Sequence, residues 1–273
     1  RAKLSNSTLI EFDDKPIGSG GEADVFHIVS PSTYRSQVVK LYKINSPPHL
    51  KENKLEFLVH NKPALNPSGH QTIIWPTHLV YISGVFSGYT MPHVEGVPLE
   101  HLCGLNIPKK LGGAWDKFSF QNSNGFNSRL KLCYNLATAV SLIHASGNYV
   151  LVDLKPNNVL VKPNGFISII DLDSIEVISG SKLLFPAKVA TPEYTPPEFH
   201  RIQYNLEHQL IPETWDRFSI AVIIYRLLFG IHPYTASLKH PYDKLTSTPE
   251  IISKGFFPNG RHKDKFHVIP HPH

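Results

Sequence analysis

Cysteine is scarce in this 273-residue chain, which carries only Cys103 and Cys133. Two cysteines thirty residues apart make no disulfide framework and suit a reducing compartment, so the expected location is the cytoplasm. Metal-ligand spacing is missing too: the 16 histidines fall in no H-E-x-x-H pair and no C-x-x-C occurs, which argues against a zinc site. Long apolar runs are absent. The most hydrophobic window, Ser219 to Gly230, carries Arg226 and is about half the length of a membrane span, so it reads as a buried helix and no membrane is expected as a partner. No repeat period appears, which excludes solenoids and propellers. Lys and Arg outnumber Asp and Glu by 27 to 22, yet the longest basic cluster is Arg261 to Lys265, without interleaved aromatics, so nucleic acid is not an expected partner either. What remains, 41% hydrophobic and 18% charged, is ordinary globular usage with room for one large domain or two modest lobes. The chain opens at Arg1 without an initiator Met or an apolar leader and reads as a piece of something longer.

What is present changes texture along the chain. From Leu9 to Tyr89, short β-rich runs alternate with Gly, Pro and Ser, and one helix is expected over roughly Pro48 to His60. After about Gly96 helical patterns dominate: Ser128 to Ser146, with Leu130, Cys133, Leu136, Ala137, Val140 and Ile143 on one face, and Trp215 to Phe229. Between them Gly104 to Asn127, rich in Gly, Asn and Lys, is expected to be a mobile surface insertion. The architecture expected is α+β in two lobes, a small sheet with one helix over residues 1–94 and a mainly helical part over 95–273. They join near Pro92 to Gly96, with a ligand cleft between.

Two stretches carry chemistry. In Ile17 to Phe26 (IGSGGEADVF), Gly18, Gly20 and Gly21 precede a β-branched run; glycine permits positive φ and close backbone approach, so such a loop can turn N–H groups toward phosphate oxygens. Glycines in a hairpin turn read the same way, but Lys40 follows in the apolar strand Val38-Val39-Lys40, placed to reach a phosphate. The stronger stretch holds Asp153, Lys155 and Asn158 in one short loop, with Asp171 delivered eighteen residues after Asp153 by an apolar strand. Singly these are a turn residue, a cap and surface groups. Together they are what magnesium-assisted phosphoryl transfer needs: an acid to take the incoming hydroxyl's proton, a cation at the transferring group, and amide and carboxylate oxygens for the metal.

With these residues the chain resembles the protein kinase superfamily from about Ile17 to Tyr234. The resemblance implies a two-lobed fold with a small antiparallel sheet lobe and a larger helical lobe, ATP and Mg2+ as cofactors, and a protein as substrate. It makes Asp153 the catalytic base, Lys155 the cation on the γ-phosphate, Asn158 and Asp171 the metal ligands, and Lys40 the strand lysine on the α- and β-phosphates. Ala190 to Glu198 (ATPEYTPPE) is similar to the end of an activation segment, where Thr191 touches Asp153 and Lys155 and Glu198 closes the segment with an ion pair; Trp215-Asp216 and His232-Pro233-Tyr234 fit later landmarks. Met91 takes the gatekeeper position, Val94 offers its backbone to the adenine, Ile17, Val25 and Val38 line the pocket above the base, and Leu160 lies below. The helix partner of Lys40 is Glu56 or Glu52, with Glu56 favoured.

Departures are informative. Leu151-Val152 stands where His-Arg is usual, removing the arginine that reads an activation-loop phosphate. Asp171-Leu172-Asp173 replaces Asp-Phe-Gly, adding a carboxylate that either binds a cation or opposes loop flipping. These features look like a divergent bacterial branch that includes the kinases of tellurite-resistance-associated systems, which makes a phosphatase and a von Willebrand-type protein candidate partners. The leading expectation is an active Ser/Thr protein kinase. A pseudokinase scaffold and a small-molecule kinase are the alternatives.

Overall fold

Period-2 alternation of apolar residues in the first part of the chain builds seven strands: β1 (Ala2–Leu4), β2 (Leu9–Phe12), β3 (Gly18–Ser19), β4 (Ala23–Ser30), β5 (Gln37–Tyr42), then, after helix α1 (His49–His60), β6 (His78–Ile82) and β7 (Val85–Pro92). The computed structural model describes residues 1–43, 49–63, 72–201 and 206–267. The strands order as β2-β1-β6-β7-β5-β4-β3 with antiparallel pairing throughout, and β2 also pairs with β4, which closes the sheet on itself. Leu4, Ile10, Ile28, Val39 and Val80 fill the enclosed core. Because side chains alternate, the neighbours of Val39 on β5, Val38 and Lys40, face the other way. The helix begins at His49, Pro48 lying outside the described residues, and buries Leu55 and Leu58, whose carbonyl accepts the indole N–H of Trp75 at 2.6 Å.

Contacts divide the chain into two compact units, Arg1–Glu95 with Ile170–Asp173, and Gly96–Ile169 with Ser174–His273. Asp171, expected with the C-terminal residues, thus clusters with the N-terminal sheet. The second unit contains β8 (Val97–Pro98), α2 (Gly125–His144), β9 (Tyr149–Val150), β10 (Val159–Val161), β11 (Ile167–Ile169), β12 (Glu176–Ser179), β13 (Lys182–Phe185), α3 (Pro197–Arg201), α4 (Thr214–Phe229) and α5 (Thr248–Ser253). Its strands form two small antiparallel sheets, β11-β10-β8 and β13-β12-β9. Helix α4 stops at Gly230, whose φ of 71° makes the left-handed C-terminal turn that β-carbon-bearing residues resist. No helix among the described residues is long and apolar enough to cross a membrane.

Two expectations about this unit need correction. The buried stripe of α2 runs through Arg129, Leu132, Cys133, Leu136, Ala139, Val140 and Ile143, while Leu130 and Ala137 are exposed. Cys133, Leu136, Val140 and Ile143 lie on the buried face as expected; the difference is at Leu130 and Ala137, where the helix buries Arg129 and Ala139 instead, and an apolar count skips an arginine. The stretch 104–127 is likewise no loose insertion: Trp115 and Phe118 are buried, and a β-carbon on Gly125 would lie 1.8 Å from the Ser119 carbonyl, so the segment returns onto α2 in tight contact. Its polar composition hid two aromatic anchors three residues apart.

Arg129 ties these parts together. Its guanidinium, fully buried, donates to the carbonyls of Phe118 (2.6 Å), Leu102 (2.5 Å) and Leu227 (2.7 Å) and stacks on Phe120 at 3.8 Å, while Nη2 has no hydrogen-bond partner among the described residues. Burial pushes it down to about 10. Replacing Arg129 by Met fills similar space but strands three carbonyls, so Arg129→Met is expected to cost about 2 kcal/mol in urea denaturation. A loss below about 0.5 kcal/mol refutes the cross-link.

Candidate catalytic site

In the first unit the sheet register aligns the expected nucleotide-binding residues. Gly18 lies opposite Val25, Val25 opposite Lys40 and Lys40 opposite Tyr89; one row on, Val38 lies opposite Met91. Residues paired across antiparallel strands share a face, so Val25, Val38, Lys40, Tyr89 and Met91 line one side of the sheet. Ile17 is exposed, its N–H bonded to the Val25 carbonyl. Beyond β7, no described residue hydrogen-bonds the peptide groups of Val94, which leaves them available to a ligand.

The glycines behave differently from expectation. None of Gly18, Gly20 and Gly21 has positive φ, and Gly20 closes the turn by donating to the Ala23 carbonyl at 2.9 Å. A β-carbon at Gly21 would meet nothing within 4 Å. The turn itself therefore does not demand glycine here; what glycine provides is open space over an exposed backbone, room for a ligand to approach.

Lys40 is buried, and its ammonium donates to Asp171 Oδ1 at 2.9 Å and Asp173 Oδ1 at 2.8 Å. Among the described residues neither candidate glutamate of α1 pairs with it. Glu52 instead accepts the Tyr81 hydroxyl at 2.9 Å, and Glu56, the favoured partner, is exposed. The physical reason is competition: a second carboxylate, two residues beyond Asp171, already occupies the ammonium. Burial works against the charge on Lys40, yet Asp173, Tyr89 and Asp171 raise it well above the ordinary lysine value. Burial likewise opposes ionised Asp173, but Lys40 and Tyr42 hold its carboxyl far below the usual range. Burial, reinforced by the charge of Asp173, pushes the Tyr42 and Tyr89 hydroxyls up, so both remain protonated donors.

In the second unit Asp153, Lys155, Asn158 and Thr191 come together. Thr191 Oγ1 donates to Asp153 Oδ1 at 2.5 Å, and Lys155 Nζ donates both to Asp153 Oδ2 at 2.8 Å and to Thr191 Oγ1 at 2.9 Å. Lys155 is extended and Pro156–Asn158 form one 3-10 turn, which swings Asn158 back so that Nδ2 donates to the Asp153 carbonyl at 3.0 Å. With its nitrogen so engaged, Asn158 presents its amide oxygen. Leu160, on β10, is half-buried opposite Pro98.

The backbone beneath this cluster is strained. Val152, a β-branched residue, has φ of 63°, and the Asp153 N–H closes a γ-turn on the Leu151 carbonyl at 2.7 Å. Asp216, fully buried in the first turn of α4, accepts the N–H groups of Leu151 and Val152 at 2.8 Å each, and His144 Nε2 at 2.7 Å. Sequence reading marked Asp216 as a landmark but missed this task, which only the fold reveals. Tyr89 was missed too. Tyr42 had a signal, since two residues after Lys40 on one strand it must share Lys40's face.

The ion pair expected of Glu198 is not made among the described residues; Glu198 is exposed on α3, and Arg226 pairs with Glu100 at 2.6 Å and with the Tyr194 hydroxyl. His232 bonds the Glu193 carbonyl at 3.0 Å through Nε2 while Nδ1 accepts the Tyr234 N–H at 3.2 Å, and burial lowers its pKa below the ordinary 6.5. Below that pH the unfolded chain binds a proton that the folded state refuses, so stability present at neutral pH is lost on acidification. The urea midpoint is expected to drop between about pH 7 and 5.5, and His232→Gln to flatten the drop. An unchanged slope counts against it.

Oxygen donors suited to magnesium are present, the Asn158 amide oxygen and the Asp171 carboxylate, whose side chain is 41% exposed against 7% for Asp173. Asp173 is saturated by protein donors, which decides between its two expected roles against binding a cation.

A family model described as the protein kinase domain matches residues 13–266. Protein kinase YegI of Escherichia coli (strain K12) is 27% identical over 229 residues, 81% of this chain and 32% of that protein. Serine/threonine-protein kinase GRIK2 of Arabidopsis thaliana is 27% identical over 135 residues, 49% of this chain and 32% of its own. Serine/threonine-protein kinase 16 of Mus musculus is 28% identical over 149 residues, 50% and 48% respectively. The chain spans about a third to a half of the length of these relatives.

Proposed function

The chain belongs to the protein kinase family, and on that premise we propose that it is an ATP- and magnesium-dependent Ser/Thr protein kinase of the cytoplasm that phosphorylates a protein hydroxyl. The observation that carries the reading is the buried Asp153 carboxylate bonded at once to Lys155 and Thr191, with Asn158 fastened to the Asp153 carbonyl. Asp153 orients the incoming hydroxyl and takes its proton. Lys155, already positioned by Asp153 and Thr191, offsets negative charge on the transferring group. Lys40 holds the nucleotide's phosphates, the face of Val25, Val38 and Met91 receives the base, and Val94 offers it peptide groups. The Asn158 amide oxygen and the Asp171 carboxylate are the donors this reading assigns to magnesium, which would neutralise phosphate charge when bound. Preference for Ser or Thr is supported by Lys155 two residues after the base and by the names of two relatives.

The test is transfer of labelled γ-phosphate from ATP and magnesium to the protein itself and to a generic basic protein, beside an Asp153→Asn control. Transfer by the parent alone supports the reading. Silence in both, with ATP still raising the melting temperature, overturns it in favour of a nucleotide-binding scaffold.

A further inference from the structure

A buried ammonium must have a counter-charge, and which residue supplies it decides what can switch it on or off. We propose that Asp173 is the fixed counter-ion of Lys40, a positioning residue that replaces a glutamate of α1, and that α1 couples to this site with inverted polarity, through Lys51. The inference rests on the reading of Lys40 as the phosphate-binding lysine.

Three donors converge on Asp173, and a second ammonium lies near it. Oδ1 accepts Lys40 Nζ at 2.8 Å and the Tyr89 hydroxyl at 3.1 Å; Oδ2 accepts the Tyr42 hydroxyl at 2.7 Å, with Lys51 Nζ 3.9 Å away. Tyr42 and Lys40 stand on β5 and Tyr89 on the adjoining β7, so the sheet that carries the lysine also grips its counter-ion. A glycine at position 173 would leave both tyrosine hydroxyls without this acceptor. Asp171 also contacts Lys40, but its side chain is 41% exposed and is the one proposed for magnesium, so that pairing is screened by solvent and open to a metal; Asp173, 7% exposed, is sheltered from solvent.

Among the described residues helix α1 contributes no carboxylate to Lys40. It contributes Lys51, which sits 4.3 Å over the Tyr42 ring and pairs with Glu22 beside the glycine turn. Strand lysine, Asp173 and helix lysine thus alternate in charge as plus, minus, plus. Displacing α1 removes a cation from Asp173 and leaves Lys40 paired, so the ammonium stays oriented wherever the helix lies.

The test reads ATP affinity by displacement of a fluorescent nucleotide with magnesium and without turnover, beside the melting temperature of each ligand-free variant. Asp173→Asn is expected to weaken ATP at least about tenfold, and to cost at least about fivefold more than Glu52→Gln or Glu56→Gln. In a Lys40→Met background the same substitution is expected to add less than about twofold, because Asp173 acts through the ammonium; a merely structural role costs the same in both backgrounds. Tyr42→Phe removes one grip on the carboxylate without changing charge and is expected to weaken ATP about threefold, which keeps the test open should Asp173→Asn unfold. An effect of Asp173→Asn or Tyr42→Phe below about 1.5-fold, a larger cost at either glutamate, or equal costs in both backgrounds overturns the inference alone. A parent protein that binds no ATP overturns the reading of Lys40 and the inference with it.

Discussion

Asp153→Asn is expected to lower γ-phosphate transfer at least about 10²-fold while leaving ATP affinity nearly unchanged. The substitution conserves shape, and the Asn oxygen still accepts the Thr191 hydroxyl that now donates to Asp153 Oδ1 at 2.5 Å. What it removes is the basicity proposed to take the substrate's proton and the charge that holds Lys155, because an amide nitrogen in the place of Oδ2 faces the Lys155 ammonium donor to donor. Among the described residues Lys155 then keeps Thr191 alone, and the cation proposed for the transferring group loses its orientation. The groups proposed to hold the nucleotide, Lys40 and the apolar face around it, belong to the other unit, so KM for ATP is expected to move far less than kcat. Single-turnover transfer checks this. A rate within about twofold of the parent removes Asp153 from the role of base.

The parts legible in the sequence share one property, chemistry concentrated within a few residues. Asp153, Lys155 and Asn158 announce themselves because one 3-10 turn brings them together, and period-2 alternation puts Val38, Lys40 and Tyr42 on one strand face. The parts that stayed hidden depend on long-range closure. Asp173 and Tyr89 are 84 residues apart, and nothing local says that two hydroxyls and an ammonium will saturate that carboxylate. Its place on the helix alone favours Glu56, while its competitor lies over a hundred residues downstream. Arg129 failed for another reason: apolar periodicity treats an arginine as a surface residue, and only the carbonyls of Phe118, Leu102 and Leu227 explain its burial. The glycine turn shows the opposite error, a conformational role assumed where the backbone needs none.

Asp216→Asn is expected to cost about 3–5 kcal/mol of folding stability and to depress kcat more than KM for ATP. The carboxylate is fully buried and accepts two adjacent backbone N–H groups, those of Leu151 and Val152, at 2.8 Å each. Two neighbouring N–H groups pointing at one side chain require two acceptors. Asparagine has one oxygen, so its nitrogen confronts the other N–H and a buried donor goes unsatisfied. The damage falls where the chain can least absorb it, because Val152 holds φ of 63° only while its surroundings impose it. Freed from Asp216, Val152 relaxes toward extended backbone, the γ-turn closed by the Asp153 N–H opens, and Asp153 swings with it. His144 supplies the contrast, since His144→Ala removes one donor to Asp216 and leaves both backbone bonds in place, so it is expected to cost less than half as much. Urea denaturation of both variants beside their kcat values decides the matter. A loss below about 1 kcal/mol at Asp216, or equal losses at the two positions, means that the turn at Val152 stands on its own and that the carboxylate is a bystander to the placement of Asp153.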